Sequence, residues 1–81
     1  MDIQLSLATR AVHSVAATRV LAFGDGYVTA GQDGRVVFVP ADPDAGVRQL
    51  WQSAGDWIEA LAVHDATAVI AVAAGKTVIV I

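Results

Sequence analysis

The chain has 81 residues and a net charge of −3, with 56% hydrophobic and only 16% charged side chains. Its length limits it to one small domain, and its negative charge excludes a general attraction to nucleic acid or to anionic membranes. It has no cysteine, so disulfides and thiolate metal sites are excluded too. The start at Met1-Asp2 has no basic stretch before an apolar run, so we expect no signal peptide and a cytoplasmic location. The longest uncharged run near the C-terminus stops at Lys76, far short of the ~20 residues of a membrane helix.

Turn residues divide the chain into short runs of strand-forming residues. Asp25-Gly26 and Asp33-Gly34 are strong hairpin signals, and Pro40, Pro43 and Gly46 interrupt the middle of the chain. Eight strands are predicted between such signals, at residues 3–7, 19–23, 27–31, 35–39, 47–51, 57–63, 68–73 and 77–81. No helix is predicted, because the alanine-rich residues 59–74 lack a polar face at helical spacing.

Two parts of the chain match each other at a spacing of about forty residues. Leu21-Ala22-Phe23 aligns with Leu61-Ala62-Val63 at an offset of 40, and residues 34–39 align with residues 75–80 at an offset of 41. One inserted residue near positions 66–68 would explain the change of offset. A further strand precedes each unit, which gives the strand order d-a-b-c twice. Repeats of about 40–45 residues with four strands each are typical of β-propeller blades.

The first unit resembles a WD40 repeat, and the second unit is similar to a degenerate copy of it. The residues that carry the resemblance are Ala11-Val12-His13 and the run VLAFGDGYVTAGQDGRV at positions 20–36. In that family, a histidine before strand a and an aspartate in the turn between strands b and c typically hydrogen-bond across the blade. His13 and Asp33 match these positions, so the resemblance implies a structural hydrogen-bond pair.

We therefore expect an all-β fold, with two four-stranded antiparallel propeller blades in one domain at residues 1–81. The first unit covers about residues 1–40 and the second about residues 41–81. Each such repeat needs neighbours to bury its faces, about three or more repeats are usually needed for stability, and natural propellers have ~4–8 blades. The expected assembly is therefore an oligomeric ring of identical chains, a trimer or a tetramer.

The two ends of the chain carry the expected contact between copies. Ile3, Leu5 and Leu7 alternate with polar residues, as in an outer strand with one solvated face. The last strand is apolar, and Val78 and Val80 would lie on an open edge. We expect the first strand of one copy to pair head to tail with the last strand of the next. The alternative is a propeller fragment that a different chain completes.

No set of residues predicts catalysis or a metal centre. His13-Ser14 and Asp33 supply the residue types of a Ser–His–Asp site, but no Gly-x-Ser-x-Gly context accompanies them. His64-Asp65 and the segment at residues 42–46, which contains two aspartates, lack the spacing of zinc or calcium ligands. We expect no enzymatic activity, no metal and no cofactor.

Four residues are the predicted partner contacts. Trp51 and Arg48 belong to residue types favoured at binding hot spots, and Asp42 and Asp44 lie in a proline-fixed loop that would project from a ring. Trp57 is instead expected to fill the space between blades. The predicted function is a non-enzymatic interaction or scaffold module that binds itself or a protein partner. The alternative is a small-ligand or glycan-binding, lectin-like propeller.

Overall fold

Residues 10–81 are described by the structure, a computed structural model, and they form two antiparallel β-sheets. The strands are β1 (Ala17–Phe23), β2 (Gly26–Gly31), β3 (Arg35–Pro40), β4 (Arg48–Gln52), β5 (Ile58–His64), β6 (Val69–Ala74) and β7 (Thr77–Val80). One 3-10 turn, Asp65–Thr67, joins β5 to β6. The predicted all-β fold is confirmed, and seven predicted strands lie within two residues of their expected bounds. The predicted strand at residues 3–7 lies outside the described residues.

The first sheet has the order β1-β2-β3-β4, and the second has the order β5-β6-β7. β4 belongs to the second unit of the sequence repeat, yet it pairs with β3, where Val36 lies opposite Trp51. The β1–β2 hairpin turns through Gly24, whose φ of 57° lies in the left-handed region that glycine adopts without steric cost. Each sheet thus follows the chain as consecutive antiparallel strands, and only the first has a fourth strand among residues 10–81.

β1 and β5 run parallel, side by side, along one border of the two sheets. The Thr18 hydroxyl donates to the Ile58 carbonyl (3.3 Å), and near the other end the Gly24 N–H donates to the Asp65 carboxylate (3.1 Å). Away from this border the sheets face each other across one hydrophobic core. The buried residues of this core come from both sheets: Val28, Ala30, Val36, Ile58, Leu61, Ile70, Val72 and Ala74.

The backbone pairing shows which positions of the two sheets are equivalent. β1 has a bulge after Ala17, which pairs with Gly31, and β5 has a bulge after Ile58, which pairs with Ala74. Aligning the two bulges makes Val20 equivalent to Leu61 and Leu21 equivalent to Ala62, an offset of 41 residues in this strand. The offset of 40 predicted for this strand is therefore wrong by one residue.

The turns explain the changing offset. Asp65–Ala68 connect β5 and β6 with four residues where β1 and β2 have two, and Gly75-Lys76 connect β6 and β7 with two where β2 and β3 have three. Two added residues and one removed residue thus replace the single predicted insertion. The offset between β3 and β7 is therefore 42, so the predicted offset of 41 is also wrong by one residue. A shift of one residue moves a strand side chain to the other face, so the correction decides which faces correspond.

With this register, equivalent faces of the two sheets point in the same direction. Leu21, Val28 and Phe38 of the first sheet point toward the second sheet. Their equivalents, Ala62, Ala71 and Val80, alternate with core residues of the second sheet and therefore point away from the first. The face that the first sheet buries is thus the counterpart of the face that the second sheet leaves outward.

Candidate functional site

The outer edge of β7 is an unpaired strand edge among residues 10–81. Ile81 and Ile70 exchange both backbone hydrogen bonds (2.8 and 3.3 Å), so their pair fixes the antiparallel alternation. The N–H and C=O groups of Val78 and Val80 consequently point away from β6, toward the open edge. Their equivalents in the first sheet, Val36 and Phe38, lie on the strand that β4 covers. The edge can therefore accept a further strand in the place that β4 takes on the first sheet.

The outward face of the second sheet adjoins this edge and is apolar. Val78 and Val80 are 70% and 67% exposed. Beside them a shallow concavity of about 150 Å³ is lined mainly by small side chains: Ala60, Ala62, Ala71, Ala73 and Val78. Contiguous exposed apolar surface of this kind marks interaction sites on small proteins.

The outward face of the first sheet carries the polar residues that the sequence singled out. His13 Nδ1 lies 3.0 Å from Asp33 Oδ1, and His13 Nε2 lies 2.7 Å from the Thr29 hydroxyl. A carboxylate only accepts hydrogen bonds, so Nδ1 carries the proton, and Nε2 of a neutral imidazole accepts from Thr29. Gly31 makes room for the ring, because a Cβ there would lie 2.8 Å from His13 Nδ1.

Asp33 is the centre of this polar cluster. Besides His13, its carboxylate accepts from the backbone N–H groups of Ser14 and Arg35, each at 3.1 Å. Burial works to raise the pKa of the Asp33 carboxyl, but the hydrogen bonds from His13 and from these N–H groups outweigh it and hold that pKa below its ordinary value. The ionised carboxylate thereby joins the segment before β1 to the β2–β3 turn.

The geometry pairs both ring nitrogens of His13 with other side chains of the cluster. Both ring nitrogens of His13 are engaged by Asp33 and Thr29, while Ser14 contributes its backbone N–H. The His13 and Asp33 side chains are only 2% and 8% exposed. A histidine that acts as a base for a nucleophile needs a ring nitrogen within reach of an accessible hydroxyl. Here the arrangement holds backbone segments together.

Thr29 is the member of the cluster that the sequence analysis missed. Its signal is a hydroxyl in the centre of an otherwise apolar strand, between Val28 and Ala30. The second sheet lacks the cluster, because Val72 stands at the position equivalent to Thr29 and the shortened β6–β7 turn has no counterpart of Asp33. Val72 is fully buried against the first sheet instead.

A cleft of about 350 Å³ opens between the two sheets beside the β1–β2 turn. Its apolar walls include Phe23, Phe38 and Leu50 from the first sheet and Ile70 from the second. Arg48 lies at this cleft with its guanidinium 5.9 Å from the centre of the Phe38 ring. Its lining is mainly apolar with few charged groups, and its volume lies near the lower limit of the range for small-molecule sites.

The remaining predicted contact residues are separated in space. Trp51 is half-buried and packs against the core between the sheets, whereas Trp57 is 61% exposed. Within residues 10–81, Trp51 thus fills the space that was predicted for Trp57. Asp42 and Asp44 are exposed, and the Asp42 carboxylate accepts from the Asp44 N–H (2.9 Å), which fixes the turn before β4. Ile3, Leu5 and Leu7 lie outside the described residues.

Neither a metal cluster nor a membrane helix is found in the part of the chain that the structure describes. No group of three or more His, Cys, Asp or Glu side chains converges there. No helix within residues 10–81 has the length and apolar character needed to cross a bilayer. Comparison of the chain with models of protein families, with curated proteins and with solved structures found no match.

Proposed function

We propose that this protein is a non-enzymatic module whose copies assemble head to tail into a closed propeller-like ring that acts as an interaction scaffold. The observation that carries the proposal is the unpaired β7 edge beside the apolar outward face of the second sheet. An exposed, apolar strand edge promotes association unless another strand covers it. The resemblance of the two units to WD40 repeats supports the same architecture.

The first strand predicted from the sequence fits the role of the covering strand. Ile3, Leu5 and Leu7 alternate with Asp2, Gln4 and Ser6, which suits a strand at the outside of a sheet. Residues 12 and 13 already lie on the outward face of the first sheet, since Arg35 binds the Val12 carbonyl and His13 binds Thr29. This face is the one farther from β7 of the same chain, which favours pairing with another copy.

The mass in solution tests the proposal. At micromolar concentration we expect light scattering to give three or four times the 8.4 kDa of one chain. A stable mass of one chain would overturn the proposal. A discrete complex formed only with a second, different protein would overturn self-assembly in favour of a completed fragment.

A matched pair of variants tests the β7 edge. Val80→Pro removes an N–H that points to the open edge and takes part in no bond to β6, so it blocks an added strand while leaving the β6–β7 ladder intact. We expect it to reduce the mass to that of one chain. Val80→Ala trims the same side chain but keeps the N–H, and we expect it to assemble. Assembly of Val80→Pro equal to that of Val80→Ala would contradict closure at this edge.

The cleft between the sheets favours a second candidate function, the binding of a small, mainly apolar ligand beside Arg48. A glycan array and a screen of small apolar carboxylates would detect such a ligand. Binding that weakens in Arg48→Gln but not in Arg19→Gln, an equal charge change on the exposed β1, would support the cleft as the site. Binding unaffected by either change would contradict it.

A further inference from the structure

We infer that the interface between copies repeats the interface between the two sheets of one chain, so that Val20 and Tyr27 of one copy pack on the outward face of the second sheet of the next. The inference rests on the proposed self-assembly and adds which two faces meet. Its basis is the equivalence of the two sheets established by their bulges and backbone pairing.

Within one chain, the second sheet contacts the first through side chains whose equivalents in the first sheet are exposed. Leu61 and Ile70 face the first sheet and are buried. Their equivalents Val20 and Tyr27 point out from the opposite face of the first sheet and are 60% and 48% exposed. If another copy packs on the first sheet as the first sheet packs on the second, Val20 and Tyr27 become buried in the way that Leu61 and Ile70 are.

The receiving face is defined in the same way. Leu21 and Phe38 contact the core that includes Leu61 and Ile70, and their equivalents are Ala62 and Val80 on the outward face of the second sheet. Phe38 and Ile70 line one cleft, so their equivalents, Val80 and Tyr27 of two copies, are brought together. Leu21 packs against the core cluster that contains Leu61, so their equivalents, Ala62 and Val20 of two copies, are placed side by side.

Side-chain size and charge agree with this pairing. The concavity of about 150 Å³ beside Ala62 and Ala71 has room for a branched side chain such as that of Val20. Ala60, Ala62, Ala71, Ala73, Val78 and Val80 all lack charge, so none of these receiving side chains is an ion that must lose its hydration when the face is covered. Apolar faces of this kind gain about 25 cal/mol for each Å² removed from water.

Cross-linking tests the pairing directly, because the chain has no cysteine of its own. We would mix a Tyr27→Cys chain with a Val80→Cys chain and add a short thiol-specific cross-linker. We expect covalent dimers from this mixture and at least a tenfold lower yield when Gln52→Cys, on the exposed end of β4, replaces Val80→Cys. Equal yields from the two mixtures would overturn the assigned faces.

Charge pairs give a second, independent test. Val20→Lys or Ala62→Glu alone places an unpaired charge at the interface, and each is expected to shift the mass toward one chain. The double variant Val20→Lys/Ala62→Glu should recover assembly, since every interface then contains one Lys and one Glu. A double variant no better assembled than the weaker single variant would overturn the pairing.

The two proposals fail in different ways. If the unaltered chain has the mass of one chain, self-assembly itself is wrong. If it assembles but neither the cross-link nor the charge pair reports contact, the copies associate through other faces and only the present inference is wrong.

Discussion

Val20 and Leu61 occupy equivalent positions in the two sheets, yet Val20 is 60% exposed and Leu61 is 9% exposed. Both side chains lie on the same face of their respective sheets. In the second sheet that face meets the first sheet, and in the first sheet it points outward. Val20 is therefore exposed because, within one chain, no further equivalent sheet packs on the outward face of the first sheet.

The His13–Asp33 pair should contribute measurably to stability. Asp33→Asn keeps the shape but removes the charge that accepts from His13 and from two backbone N–H groups. Hydrogen bonds to a charged group contribute about 1.5–3 kcal/mol, so we expect a loss of ~2 kcal/mol in the free energy of unfolding. Urea denaturation at fixed protein concentration measures it. Asp44→Asn, in an exposed turn, is the control, and equal losses in the two variants would contradict the role of Asp33.

The contribution of Asp33 should depend on pH in one direction. Its folded pKa is lowered, so the unfolded chain, with a value near 3.8, takes up the proton first as the pH falls. The stabilisation is complete well above pH 3.8 and is lost as the pH falls through the lower folded pKa. The stability difference between the unaltered chain and Asp33→Asn should thus shrink as the pH falls below 3.8. A difference that grows on acidification would show that the sign is wrong.

Gly31 should tolerate no side chain. An added Cβ would lie 2.8 Å from His13 Nδ1, closer than Cβ contacts in proteins allow, and a tight 3.0 Å from Asp33 Oδ1. We expect Gly31→Ala to displace His13 and to destabilise the fold by about 1–3 kcal/mol, the usual cost of overpacking. Thermal unfolding measures the loss, and NMR shifts of the His13 ring report the displacement. Gly46→Ala is the control, because a Cβ there meets nothing within 4 Å.

The Asp65 carboxylate should help to hold the two sheets together. It accepts from the Gly24 N–H at the end of β1, and this bond spans the border between the sheets. Asp65→Ala is expected to lower the free energy of unfolding by about 1 kcal/mol, the typical contribution of a single hydrogen bond. Asp25→Ala, in the β1–β2 turn itself, removes the same charge and should have a smaller effect. Equal effects would indicate that charge, rather than the bond to Gly24, matters.

The strands were predictable because their signals are local. Turn dipeptides such as Asp25-Gly26 and Asp33-Gly34 bound runs of strand-forming residues, and seven strands lie close to the predicted positions. The hydrogen bond between His13 and Asp33 was expected only because the first unit resembles a WD40 repeat. Thr29 was missed because a lone threonine in a strand gives no indication of which face it occupies.

The correspondence between the two sheets could not be predicted, since it depends on turns and bulges. Leu21-Ala22-Phe23 and Leu61-Ala62-Val63 agree in residue type, but this alignment equates side chains that lie on opposite faces of the two sheets. Only the bulges after Ala17 and Ile58 show that the true offset there is 41. The sequence likewise does not show that Trp51 packs against the core while Trp57 stays exposed, because this depends on how the two sheets are packed.

The placement of β4 has a consequence for how the two halves of the chain respond to dilution. Trp51 and its neighbours on β4 pair with β3 in the same molecule, so the first sheet retains all four strands at any protein concentration. If Val78 and Val80 gain their partner only from another molecule, the second sheet is stabilised by mass action. Hydrogen exchange at the β7 edge should then accelerate as the protein is diluted, while exchange in β2 and β3 stays constant.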